Sequence, residues 1–149
     1  MAAQREDPYP GLNFEVVIEG ISEDGLSARG GFAEVSGLEI EVVPIEYRTG
    51  GEINTIRKVP GLTKFSNITL KRGVIGDMTL WNWIQTVFQG QVQRADGRIT
   101  LLDESRQPVM TWRFRRGWPC KLSGPTFNAT SNEVAIETLE IAHEGIEKG

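Results

Sequence analysis

Apolar side chains recur at every second position through most of this chain, a period that restricts it to extended structure. Phe14, Val16 and Ile18 fall on one face of a strand, with Glu15, Val17 and Glu19 on the other. Gly20 then leads into a polar turn at Glu23-Asp24-Gly25. Leu38, Ile40 and Val42 alternate with Glu39, Glu41 and Val43 as far as Pro44, which has no N–H for a ladder and so marks an edge or a bulge. Ile45 to Tyr47 and Ile53 to Arg57 flank Thr49-Gly50-Gly51, predicted as a hairpin turn projecting from the body, and Pro60-Gly61 is expected to end the excursion. Phe65 to Arg72 reads as the next strand, with Ile68 and Leu70 opposite in face to Thr69 and Lys71. Ile99 to Asp103 and Val109 to Arg116 read as a hairpin that turns Met110, Trp112 and Phe114 inward and Thr111, Arg113 and Arg115 outward. A last strand starts near Glu133 with Val134 and Ile136 inward. Because the apolar phase then moves to Leu139 and Ile141, a bulge near Glu137 or Thr138 is expected.

One segment has a different period. Leu80, Trp81, Ile84, Val87 and Phe88 recur at helical spacing with Trp83 at the margin. Asp77 is placed to cap this helix, and Gly90 suits the left-handed position after its end. Many short strands with one long helix predict a mainly β fold, an antiparallel β-barrel or sandwich with one flanking α-helix. A chain of 149 residues suits one domain, 1–149, able to bury a core without metals or disulfides, with short tails at 1–10 and 147–149.

Most chemistry is excluded by what the chain lacks. Charged residues make up 24% and mean hydropathy is −0.27, leaving no apolar span of about 20 residues and no expected membrane insertion. The first residues, Met-Ala-Ala-Gln-Arg-Glu-Asp-Pro, lack the apolar core of a secretory signal. Synthesis in a cytoplasm is therefore expected, and Asn67-Ile-Thr69 and Asn128-Ala-Thr130 are not expected to be glycosylated. Cys120 is the single cysteine and reads as a buried or half-buried thiol rather than a nucleophile. His143 is the single histidine, so one subunit can build neither a triad nor a multi-histidine metal site; it is read as structural or interfacial. The glycines of Ala28-Arg-Gly-Gly-Phe32, Val35-Ser-Gly37 and Gly73 to Gly76 lack the pattern of a phosphate loop, and the adjacent Asp103 and Glu104 diverge in a strand and start a turn toward Pro108. No catalytic, cofactor-binding or metal-binding residue is assigned. Lys71-Arg72 and Arg113-Phe-Arg-Arg116, interleaved with Trp112, Phe114 and Trp118, raise single-stranded nucleic acid as a ligand. The alternation separates those rings from the cations, and a net charge of −4 opposes the idea.

Charge is blocked along the chain. Glu15, Glu19, Glu23, Asp24, Glu34, Glu39, Glu41, Glu46 and Glu52 meet only Arg29 and Arg48. Arg57, Lys58, Lys64, Lys71 and Arg72 then run without an acid, as do Arg106, Arg113, Arg115, Arg116 and Lys121, before Glu133, Glu137, Glu140, Glu144 and Glu147 close the chain. Two readings stay open: oppositely charged faces that steer identical copies head to tail, or strands of opposite sign that pair within one sheet.

The segment from Gly124 to Ile146, G-P-T-F-N-A-T-S-N-E-V-A-I-E-T-L-E-I-A-H-E-G-I, resembles the C-terminal signature of phage tail tube proteins. Further segments match in order: F-E-V-V-I-E-G from Phe14, F-A-E-V-S-G-L-E from Phe32, E-Y-R-T-G-G from Glu46, P-G-L-T-K-F from Pro60 and T-L-K-R-G from Thr69. After them come L-W-N-W from Leu80, L-L-D-E from Leu101, P-V from Pro108 and W-R-F-R-R-G-W-P from Trp112. The chain is most similar to the inner tube subunits of phage-tail-like contractile injection systems, including extracellular ones; the haemolysin-coregulated tube proteins look more distant.

That resemblance implies a non-enzymatic structural subunit without cofactors. Six copies would close a ring, and rings would stack into a hollow, rigid conduit that a contracting sheath drives into a target. Implied partners are other copies of the chain, a sheath protein, baseplate hub and spike proteins, tube-capping proteins and cargo in the lumen, with nucleic acid only as cargo. The particle or virion tail would be assembled in a bacterial cytoplasm, with release outside the cell in extracellular systems. The family's extended loop corresponds to Glu46 to Val59, which assigns Tyr47, Arg48, Gly50, Gly51, Ile53 and Arg57 to contacts between rings. Glu15, Glu19, Glu39 and Glu41 are expected in the lumen or at the subunit seam. A monomeric β-barrel binding module is the alternative and would show a concave ligand site.

Overall fold

The computed structural model describes residues 7–11, 13–19, 28–29, 32–48, 50–51, 55–74, 78–130 and 134–149. Alternating apolar stretches become strands β1 (Phe14–Ile18), β2 (Ala28–Arg29), β3 (Phe32–Ser36), β4 (Ile40–Tyr47), β5 (Arg57–Phe65), β6 (Ile68–Gly73), β7 (Ala95–Leu102), β8 (Pro108–Ser123), β9 (Ile136–Ala142) and β10 (Gly145–Lys148). Among the described residues the one helix is α1 (Thr79–Phe88). Every pairing is antiparallel, in the order β2-β1-β7-β8-β9-β6-β3, with β10 also on β8.

The 16-residue β8 holds the molecule together. Its first part pairs with β7 on one side and β10 on the other; from Trp118 to Ser123 it pairs with β9. At the change-over Arg116 takes a left-handed conformation, with φ of 51°. Both groups of strands and the helix then share one core: Val16, Ile18, Ile99, Phe114 and Ile146 from one side, Phe32, Ile68, Leu70, Leu139 and Ile141 from the other, and Leu80 and Trp83 from α1. At about 25 cal/mol per Å² of apolar surface buried, such residues supply most of the folding free energy.

Several expectations change on the structure. Phe65 to Arg72 is not one strand, because the chain breaks its pairing at Ser66 and Asn67 between β5 and β6. Pro60 and Gly61 do not end the excursion; they lie inside β5, where Pro44 faces Pro60 and the register slips by one residue. Val17 is buried together with Val16 and Ile18, so the end of β1 is covered on both faces. No bulge occurs in β9, whose register with β6 runs unbroken from Ile68↔Ile141 to Gly73↔Ile136. The apolar phase breaks there because the inward position 137 is taken by Glu137, paired with the buried Arg72 at 2.5 Å, while Val134 and Ile136 stay exposed. The slip lies on β8 instead, between Pro119 and Lys121. Residues 147–149 are no loose tail, since Glu147 and Lys148 belong to β10, and Gly149 and Thr111 exchange backbone hydrogen bonds of 2.7 and 2.8 Å.

The helix also turns differently from its expected stripe. Its buried line runs through Leu80 and Trp83, with Ile84 and Val87 half-buried, whereas Trp81 and Phe88 face outward. Burying Trp83 is tolerated because its indole N–H reaches the Gln93 carbonyl at 2.7 Å. Met78, not Asp77, occupies the N-cap, without a side-chain capping bond; Asp77 lies outside the described residues. At the other end Gly90 has φ of 80°, its N–H reaches Val87 O at 3.1 Å, and Gln91 N–H reaches Thr86 O at 2.9 Å. This is a Schellman closure, which accounts for the glycine.

Candidate functional site

The chain's distinctive surface is the arm formed by β4 and β5, a two-stranded sheet separate from the main one. Backbone bonds continue at its root, where Ser66 N–H reaches Glu39 O at 3.4 Å and Ser66 Oγ donates to Glu39 Oε2 at 3.1 Å. Ring nitrogens of His143 fasten the same corner: Nε2 donates to Ser66 O at 2.8 Å while Nδ1 accepts the Gly145 N–H at 3.2 Å, which fixes the tautomer. Phe65 and Phe114 lie against the imidazole, with ring centroids 5.9 and 6.2 Å away. The expected structural part for His143 is thus met.

Beyond this root the arm leaves the core. Ile40, on the apolar face that the alternation predicts, is 60% exposed, and Leu62 on the opposite strand is 76% exposed. Ile45, Tyr47 and Val59 are exposed as well. Strand alternation puts Ile40 and Val42 on one face and Ile45 and Tyr47 on the other, so both faces of the arm carry bare apolar side chains. An isolated two-stranded hairpin is at best marginally stable in water. Exposed apolar surface on such an arm marks a contact made with something else.

The predicted stacking residues gather at the far end of this arm. Tyr47 pairs in register with Arg57, Arg48 follows β4, and Gly50 and Gly51 sit in the turn with open space where side chains would be; Ile53 lies outside the described residues. Glu15, Glu19, Glu39 and Glu41 are exposed but are not brought together. Glu15 lies on β1 across from Thr100, and Glu19 ion-pairs with Arg98 at 3.1 Å. Glu39 stands at the arm's root and Glu41 lies on β4 across from Lys64.

Some of the blocked charges pair within the subunit. Lys71 meets Glu34 at 3.3 Å, Arg116 and Arg94 meet Glu144 at 2.9 and 3.7 Å, Arg115 meets Glu147 at 3.6 Å, and Lys58 meets Glu46 at 3.9 Å. Lys71–Glu34 and Lys58–Glu46 join residues paired across strands, which is pairing of strands of opposite sign within a sheet. Exposed pairs of this kind contribute little stability.

A second exposed apolar surface, which the sequence reading missed, lies on α1. Trp81 and Phe88, seven residues apart, meet edge to face with centroids 6.5 Å apart, and Phe88 is 65% exposed. Met78, at the N-cap, and Val92, beyond the helix end, are exposed as well. The signal was present in the sequence: from Met78 to Gln93 there is no charged residue.

Cys120 is exposed, contrary to expectation, because it is the extra residue where β8 slips against β9. Its thiol donates to Glu140 O at 3.4 Å; partial burial and then the Glu140 carboxylate push its pKa above the ordinary thiol value. That is the wrong direction for a nucleophile. A groove of about 300 Å³ is lined by Glu19, Arg98, Arg113, Phe114, Arg115 and Glu147, and two of its cations are paired with its acids, Arg98 with Glu19 and Arg115 with Glu147. No helix among the described residues is long and apolar enough to cross a membrane.

Comparison with known proteins follows the same line. The sequence profile of the T4-like virus tail tube protein gp19 matches residues 10–147. No curated protein sequence matches significantly. The chain is similar to a chain of the sheath-tube complex of an extracellular contractile injection system, PVC, in the extended state: 32% identity, 97% of this chain and 93% of that one, TM-score 0.84. It is also similar to a chain of the anti-feeding prophage cap: 29% identity, 100% and 95% coverage, TM-score 0.85. The fold, though not the sequence, is shared with Hcp1 from Flavobacterium johnsoniae: 17% identity, 91% and 94% coverage, TM-score 0.60.

Proposed function

The chain belongs to the T4-like virus tail tube protein family, and from that premise we propose that it forms the hollow inner tube of a contractile injection system. Six copies close into a ring, rings stack, and a surrounding sheath drives the assembled tube into its target with cargo inside. Solved relatives come from a sheath-tube complex, a sheath/tube terminator, a tube-terminating cap and a baseplate, which supports sheath, capping and baseplate proteins as its partners. A mechanical role needs no reactive group; stiffness and closure come from contacts between identical subunits.

The observation that carries this reading is the β4–β5 arm: a hairpin standing clear of the core with apolar side chains on both faces. A monomer has no use for it, and a stack of rings does. We assign Tyr47, Arg48, Gly50, Gly51, Ile53 and Arg57 at its far end to the contact with the neighbouring ring. Glu15, Glu19, Glu39 and Glu41 are assigned to the lumen or the subunit seam.

Sedimentation over a concentration series tests the ring. We expect a species of six times the 16.6 kDa monomer mass, with larger stacks as concentration rises. A monomer at every concentration, also in the presence of baseplate and sheath proteins, contradicts it.

A further inference from the structure

The molecule displays two unlike apolar surfaces, the arm and the outer face of α1, and they remain exposed in the same chain. We propose that the arm of one copy seats on the Trp81–Phe88 face of a second copy. The proposal rests on the tube reading and adds to it the surface that receives the arm.

Four observations lead there. First, the helix surface does not select a partner by charge, since residues Met78 to Gln93 carry none; on the arm Lys58 is matched to Glu46 at 3.9 Å and Glu41 faces Lys64 in register, with Arg48 and Arg57 at the far end. An uncharged helix face can receive the arm's apolar side chains without a charge of its own being desolvated.

Second, the arm is built to be touched on its faces rather than its edges. Pro44 and Pro60 stand opposite each other, a pairing that forms no mutual N–H bond and so belongs to a non-hydrogen-bonded site. Residues at such a site point their N–H outward, and both prolines lack one. Each outer edge of the arm therefore misses a donor at mid-length, which discourages the addition of a further strand. The side chains are what the arm has to offer.

Third, the lengths agree. From Met78 to Phe88 the helix rises about 15 Å. The apolar stretch of the arm, from the level of Leu62 to that of Tyr47, spans about 13 Å at strand rise.

Fourth, the two surfaces differ, so a contact of arm with helix is head to tail: each copy gives one and receives one, and every copy except those at the two ends has both covered. A contact of arm with arm would leave the helix bare.

The test uses full-length protein with Cys120→Ser, so that introduced thiols are the only ones. Leu62→Cys and Phe88→Cys in one chain, assembled and then oxidised, are expected to give a ladder of covalently joined dimers, trimers and longer species. Either cysteine alone gives nothing beyond a dimer. Tubes that form normally and yield no ladder overturn the proposal while leaving the tube reading intact. In parallel, Phe88→Glu and Leu62→Lys should each abolish stacking, and the two together should restore it. Phe88→Glu protein that stacks as well as the unsubstituted chain, losing only its attachment to a sheath protein, would assign the helix to the sheath and also overturn the proposal. Unsubstituted protein that never multimerises removes the tube reading itself.

Discussion

Gly61 lies so close under Ile45 that a Cβ on it would stand 2.9 Å from the Ile45 Cγ1 atom and 2.5 Å from the Val43 carbonyl oxygen. Only a glycine fits, and it is here that the register of the arm slips by one residue. Gly61→Val should displace β5 from β4 and scramble which apolar side chains share a face. The core does not include the arm, so monomer stability should change by less than about 1 kcal/mol. Assembly should be lost. Denaturation of the monomer, read beside electron micrographs of the same preparation, checks both halves.

Arg72 and Glu137 form the one buried ion pair among the described residues, with side chains 4% and 19% exposed, and the Arg72 guanidinium also lies 5.7 Å from the centre of the Phe32 ring. Removing one partner strands the other charge inside. Arg72→Met should cost about 3–5 kcal/mol in urea denaturation, and Arg72→Met with Glu137→Leu should recover much of it. Equal losses in the single and double variants would show that the pair does not act as a unit.

His143 ties β9 to the root of the arm through one bond to Ser66 O and one from Gly145 N–H. His143→Ala removes both and should cost about 1–2 kcal/mol. Hydrogen exchange should speed up at Gly145 and around the β5–β6 junction, while α1 keeps its protection.

The Cys120 thiol is held above its ordinary pKa by desolvation and by Glu140. A raised pKa means less thiolate at a given pH, so alkylation by iodoacetamide near pH 8 should be slower than for an unstructured cysteine peptide. Glu140→Gln removes the negative neighbour, lowers the pKa and should increase the rate. An unchanged rate would show that burial alone sets it.

Much of the fold was legible because the spacing of apolar residues is a local property: β1 and the β7–β8 hairpin follow from alternation and α1 from helical spacing, and Gly90 ends that helix as its chemistry requires. Reading failed where a distant residue decided the outcome. Glu137 breaks the apolar phase of β9 because Arg72, far away in sequence, turns it inward, and nothing near Glu137 announces this. The helix face was misassigned because Trp81 and Trp83 are equally apolar, and only the Gln93 carbonyl decides which ring goes inside. The arm was foreseen as a projecting turn but not at its full length, since Pro60-Gly61 looks like a terminator until Pro44 is seen across from it. Its exposure was invisible because alternation looks the same whether the apolar face is covered by its own chain or by another copy.

Cryo-electron microscopy of the full-length protein, assembled in the presence of its sheath and baseplate proteins, tests the central claim most directly. The account predicts stacked six-fold rings around an open channel, with the β4–β5 arm lying between successive rings and Ile45, Tyr47 and Leu62 buried there. Rings that stack while the arm points into solvent, or particles whose tube lacks this chain, would contradict it.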